Sequence, residues 1–238
     1  MSNLTNVQAV VFDVFGTVVD WRTSIADDLG RFGATRGIAA DWTRFADDWR
    51  ALYQPAMEEV RTGRRPWTIL DILHRESLVT LLPRHGITGL SEADIDHINR
   101  VWHRLAPWPD ALAGLQRLKT RYIIAPLSNG NVGLLTRLAK HAGLPWDVIL
   151  GAETAQAYKP LPQAYQRAAE LLNLAPADVM LVAAHNNDLQ HAQAVGLATG
   201  FVARPTEYGR SQTNDLAPSG AWDLVANDFA DLAAKLGC

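Results

Sequence analysis

Five short apolar runs, rich in β-branched residues, recur along the chain at 8–13, 122–127, 147–150, 179–183 and 199–202. They do not alternate apolar with polar residues, as a strand with one wet face would. Runs of this type belong in strands covered on both faces, the habit of parallel sheets. Helical stretches separate them, at about 110–120, 131–142, 162–173, 188–195 and 224–236. Strand–helix alternation with short connections predicts an α/β fold built on a doubly wound parallel sheet.

Residues 18–106 break that rhythm and contain no convincing strand. Ser91-Glu-Ala-Asp94 has the capping-box pattern that opens a helix. Trp42, Phe45, Trp49, Leu52 and Ala56 follow helical spacing, with Pro55 expected to kink or end the run. Six of the eight tryptophans lie between Trp21 and Trp108. The chain is therefore read as an α/β core of residues 1–17 and 107–238, with an α-helical subdomain of residues 18–106 inserted after the first strand. Pro107 and Pro109 mark the return to the sheet.

Composition narrows the function. With 238 residues, 48% of them hydrophobic and 20% charged, the chain can bury a substantial core. A net charge of −3 gives no basic face for nucleic acid. The single cysteine, Cys238, makes no internal disulfide and no cysteine-based metal site. No apolar run approaches the ~18 residues of a membrane span, and the N-terminus lacks a secretory pattern. A cytoplasmic protein bound to neither membrane nor nucleic acid is expected.

Ligands of an open parallel sheet bind beyond the carboxyl ends of its strands. The polar residues collected there are Asp13 and Thr17 from strand one, and Ser128 and Asn129 from strand two. The segment after strand three adds Lys159, and strand four adds His185, Asn186, Asn187 and Asp188. Each has a plain alternative as a turn, cap or surface residue. Together they bring two carboxylates, one ammonium and several donors to a single edge.

Phe12-Asp-Val-Phe-Gly-Thr17, Leu127-Ser-Asn-Gly130, Tyr158-Lys-Pro160 and the Asp188 segment, in that order, resemble the four motifs of the haloacid dehalogenase superfamily. The likeness spans nearly the whole chain and implies a Rossmann-like core whose helical insertion is the superfamily's cap. Most members are magnesium phosphatases, which carry an acidic residue two positions after the nucleophile. Phe15 stands there, and a phenyl ring donates no proton. Ala184 replaces an aspartate of the fourth motif, which leaves few oxygen ligands for Mg²⁺. The resemblance is nearest to the L-2-haloacid dehalogenases. It implies cleavage of a carbon–halogen bond in a small halogenated carboxylic acid, with no metal or other cofactor, in a protein commonly dimeric. A phosphatase of the same fold is the alternative. A catalytically silent binding protein is a third reading, and the trio of Asp13, Lys159 and Asp188 argues against it.

By the same resemblance, Asp13 attacks the carbon that bears the halogen, and water then hydrolyses the resulting ester. Lys159 keeps Asp13 ionised, and Asp188 handles the hydrolytic water. Thr17 donates to Asp13, Ser128 and the backbone N–H groups of Val14 and Phe15 meet the substrate carboxylate or oxyanion, and Asn129 faces the halide. Tyr165 matches a family tyrosine. Arg50, in Trp-Arg-Ala-Leu-Tyr, is the expected cap arginine of the halide cradle, with Arg36, Arg44, Arg61, Arg64 and Arg65 as rivals. His185 departs from the family pattern, where asparagine is usual. It is read either as a neutral stand-in for that asparagine or as a larger ring that narrows the pocket and donates toward the halide. The second reading favours haloacetates, fluoroacetate included.

Overall fold

β1 (Ala9–Phe12) lies inside a six-stranded parallel sheet, paired on one side with β4 (Ile123–Ser128) and on the other with β6 (Val179–Ala183). β2 (Val19–Asp20) and β3 (Ala106–Pro107) form a separate antiparallel ladder. β5 (Leu150–Gly151) flanks β4, and β7 (Ala198–Val202) and β8 (Leu224–Ala226) extend the other side, giving the order β5-β4-β1-β6-β7-β8. This computed structural model describes residues 4–238.

The side-chain period of two divides β1 between two cores. Val10 and Phe12 join a cluster with Ile124, Met180 and Leu115, while Ala9 and Val11 join one with Ala125, Leu181 and Tyr165. That is why the run reads as apolar throughout: both faces are covered.

Five helices occupy the insertion: α1 (Trp21–Arg36), α2 (Trp42–Ala51), α3 (Tyr53–Arg61), α4 (Leu70–Leu81) and α5 (Glu92–Asn99). The capping box at Ser91 and Asp94 opens α5 as expected. The helical run through Trp42 breaks at Leu52, ahead of Pro55, which is accommodated in the first turn of α3, where an N–H has no intrahelical partner to lose. The rest of the chain adds α6 (Ala111–Lys119), α7 (Val132–Ala142), α8 (Ala152–Ala155), α9 (Pro162–Leu172), α10 (Asn186–Ala194) and α11 (Phe229–Lys235). Among the described residues no helix is long and apolar enough to cross a membrane.

Three expectations need correction. The 18–106 stretch does hold a strand, β2, which pairs with β3 where the chain enters and leaves the insertion. Two residues are too few to leave a pattern. The 147–150 run supplies only Leu150 to the sheet proper. Asp147 instead uses its side chain as an edge partner: its N–H donates to Ile124 O, and its Oδ2 accepts Ile124 N–H, both at 2.9 Å. The helix expected over 224–236 begins at Phe229, because residues 224–226 form β8 with Leu224 and Ala226 buried and Val225 exposed. Asp228 then caps α11 by accepting Asp231 N–H at 2.7 Å.

Candidate active site

Beyond Phe12 the chain turns sharply out of the sheet. Gly16 sits at φ +93, a conformation glycine adopts without steric cost. Its N–H donates to Val19 O, and the N–H groups of Val18 and Val19 both donate to Val14 O. Among the described residues, the N–H groups of Val14 and Phe15 take no part in these turn bonds.

This turn presents Asp13, only 7% exposed, to a dense set of donors. Its Oδ2 accepts from Thr17 Oγ1 at 2.8 Å and from His185 Nδ1 at 3.1 Å. Its Oδ1 accepts from Lys159 Nζ at 3.0 Å. Lys159 also donates to Asp188 Oδ2 at 2.5 Å, and Asp188 Oδ1 accepts from Tyr165 OH at 2.7 Å. Thr17 Oγ1 accepts Ala184 N–H at 2.9 Å, which ties the loop to the end of β6. Asn129 Oδ1 holds the Lys159 backbone N–H at 2.8 Å.

Burial opposes the charge on each of these groups, and for Asp13, Lys159 and His185 the neighbours reverse the outcome. The Lys159 ammonium and the His185 imidazolium hold the Asp13 carboxyl well below the usual carboxylate range. Asp13 and Asp188 hold Lys159 above its ordinary value. Glu207 and Asp13 push His185 well above the usual histidine range. Burial and Asp188 raise the Tyr165 phenol, which stays a donor.

The two carboxylates beside His185 favour its protonated form over the neutral stand-in for asparagine. Both of its nitrogens face carboxylates, Asp13 Oδ2 and Glu207 Oε2, the latter at 2.8 Å. The ring lines the cavity, but its donors are directed at carboxylates and not at a halide site. Glu207 left no motif in the sequence. It sits 22 residues beyond His185 in an irregular loop.

Asp13 opens on a cavity of about 630 Å³ that Phe15, Arg50, Tyr53, Asn129, Lys159, Tyr165, His185 and Asp188 help to line. Val14 is fully buried, and Ser128, 1% exposed, accepts Gly130 N–H on its Oγ at 3.2 Å. Neither side chain is among those that line the cavity. Among the arginines, Arg50 stands out. Its guanidinium lies 4.1 Å from the Tyr53 ring centroid and 5.4 Å from that of Trp21, and its buried Nη1 has no hydrogen-bond partner among the described residues. The rivals are engaged: Arg36 with Asp94, Arg44 with Asp48, Arg64 with Glu59 and Arg65 with Glu76. Arg61 also lines the cavity, but donates to Glu58, Gln54 and the Lys159 carbonyl. Tyr53, three residues after Arg50, also lines the cavity; helical spacing puts it near Arg50, but it belongs to no motif.

The donor set does not suit Mg²⁺. The place between Asp13 and Asp188 that a divalent cation would need is spanned by the Lys159 ammonium, which bonds both carboxylates. A second cation there meets direct repulsion.

Comparison with known proteins gives the family. A family model described as haloacid dehalogenase-like hydrolase matches residues 7–196. A solved defluorinating L-2-haloacid dehalogenase is 52% identical, with a TM-score of 0.95 over 98% of this chain and 96% of that one. The L-2-haloacid dehalogenase of Xanthobacter autotrophicus, solved with chloropropionic acid covalently bound, is 25% identical, with a TM-score of 0.78 over 96% of this chain and 97% of that one. The (S)-2-haloacid dehalogenase 4A of Burkholderia cepacia is 28% identical over 96% of this chain and 99% of its own length. With a parallel sheet, an inserted helical layer and the Asp13–Lys159–Asp188 constellation at the strand ends, the chain belongs to the haloacid dehalogenase-like hydrolases.

Proposed function

We propose that this hydrolase removes halide from short 2-haloalkanoic acids and releases 2-hydroxy acids, through an ester on Asp13 and without a metal. The observation that carries the reading is a buried, ionised Asp13 held by an ammonium, on a cavity lined also by Arg50, whose buried Nη1 has no hydrogen-bond partner among the described residues.

Asp13 Oδ1 accepts a single hydrogen bond, from Lys159, and keeps electron density for attack. It displaces the halogen with inversion, and the halide departs with the bonding pair and needs no proton. Arg50 receives the halide beside Tyr53, Phe15 and Asn129. The free N–H groups of Val14 and Phe15 bind the substrate carboxylate. Water then adds to the Asp13 carbonyl carbon, with Asp188 taking its proton. Residues 18–106 act as a cap over the site. The small reactants preferred are haloacetates, fluoroacetate among them. The likeness to a defluorinating enzyme supports this. The same reading carries a cytoplasmic homodimer, which sedimentation would test.

The test is halide release from chloroacetate, fluoroacetate and 2-chloropropionate with EDTA present. Undiminished release is expected, and a single turnover in heavy-oxygen water should label the Asp13 side chain. Asp13→Asn should lower release by about 10⁴-fold or more with the fold intact. Phosphate release that EDTA abolishes, in place of halide release, would establish the phosphatase instead.

A further inference from the structure

We infer that Glu207 is a positioning residue for the second half-reaction: it fixes His185 so that Nδ1–H meets Asp13 Oδ2, the atom that becomes the oxyanion when water attacks the ester. The inference rests on the ester mechanism proposed above.

Glu207 is a wedged carboxylate. Its side chain is 1% exposed. Oε2 takes His185 Nε2 at 2.8 Å, and Oε1 takes the Trp21 indole N–H at 2.9 Å. A Cβ on residue 16 would lie 2.0 Å from Oε1, so the glycine of the nucleophile loop is what admits it. A buried carboxylate between an imidazole and an indole, pressed on the catalytic turn, has little freedom to move. It therefore fixes which way the imidazole faces.

The two oxygens of Asp13 are unequal. Oδ2 carries two donors, Thr17 and His185, and Oδ1 carries one. If Oδ1 forms the new bond to carbon, Oδ2 becomes the ester carbonyl oxygen. Water adds its oxygen to Cγ and gives a proton to Asp188. The carbonyl electron pair moves onto Oδ2, where Nδ1–H and the Thr17 hydroxyl are already in place. Cleavage of the Cγ–Oδ1 bond expels the 2-hydroxy acid, whose oxygen takes the proton back from Asp188. The new carboxyl sheds its remaining proton and restores the Asp13 carboxylate.

The two half-reactions respond to the imidazolium with opposite sign. During displacement Asp13 loses negative charge, so a cation on Oδ2 gives no help. During hydrolysis negative charge gathers on Oδ2, and a fixed charged donor stabilises it. Loss of Glu207 should therefore slow only the second step.

The experiment compares wild type with Glu207→Gln, using chloroacetate. The expected result is a burst of halide equal to the enzyme present, then turnover slower by about 10- to 100-fold, with the ester visible in the intact mass of quenched protein. The slow phase should quicken as pH falls and His185 regains its proton. Asp13 and Glu207 face the His185 ring directly, and Arg50, Tyr53, Glu58, Arg61, Lys159, Tyr165, Asp188 and Tyr208 are the other ionisable groups lining that cavity. If Glu207→Gln does not fold, Glu207→Asp carries the same test, because the shorter side chain keeps the carboxylate but withdraws it from His185 Nε2. Equal slowing of both steps with no ester accumulating, or hydrolysis at the wild-type rate, overturns the inference and leaves the ester mechanism standing. Wild-type turnover that never labels Asp13, or no halide release at all, overturns both.

Discussion

His185 and Asp13 titrate in opposite directions, and this sets how stability varies with pH. The folded pKa of His185 lies well above the ordinary 6.5. In the interval between, the folded chain binds the extra proton, so the contribution is full below about 6.5 and is lost as pH rises through the folded value. Asp13 is depressed below its ordinary 3.8, so its contribution is full above that value and is lost as pH falls through the folded one. Melting temperatures of wild type and His185→Asn across the pH range should converge on the alkaline side as the wild type loses this contribution. Parallel curves would rule the imidazolium out. Asp13, Lys159 and Asp188 were legible in the sequence because each ends or follows a strand and the parallel sheet gathers those ends. Glu207 was not. A glutamate in an irregular loop carries no period, and only the fold brings it onto Gly16.

At the scale of elements, sheet and helices are packed closely enough that single methyl groups matter. Gly114 of α6 faces α11, and a Cβ there would lie 2.4 Å from Phe229 Cβ. Gly114→Ala should cost about 1–3 kcal/mol of stability, read as a lower urea midpoint, and an unchanged midpoint would mean α11 shifts freely. Asp110 locks the same corner. It accepts two bonds from Arg204, at 2.8 and 3.0 Å, and one from Phe229 N–H at 2.8 Å, while Arg204 Nε donates to the Thr17 carbonyl at 2.9 Å. The start of α11 is thereby tied to the turn that follows Asp13. Long apolar strands were readable because burial on both faces leaves an unbroken run. β8 was hidden because three residues before a helix read as its first turn, and Asp147 was hidden because a side chain did a strand's bonding.

For the molecule as a whole, the insertion and one face of the sheet share a continuous apolar cluster. Phe15 meets Trp102 edge-on at 5.4 Å, Trp102 stacks on His74 at 4.3 Å, and Trp49 and Trp21 close the group. The tryptophans that marked the insertion in the sequence thus fasten it to the loop after Asp13. Asp71 of α4 adds a reciprocal bond with Asn131: its N–H donates to Oδ1 at 3.2 Å, and its Oδ2 accepts Nδ2–H at 3.0 Å. Calorimetry should accordingly give one transition with matching calorimetric and van't Hoff enthalpies. Two resolved peaks would mean the layers unfold separately. The lone Nη1 of Arg50 carries a further consequence, for how the enzyme tolerates its own waste. An anion captured there is bound by the folded chain only, so bromide or chloride should raise the melting point logarithmically with concentration. If Arg50 receives the halide as proposed, the liberated ion also competes with fresh reactant, and turnover would throttle itself wherever salt accumulates.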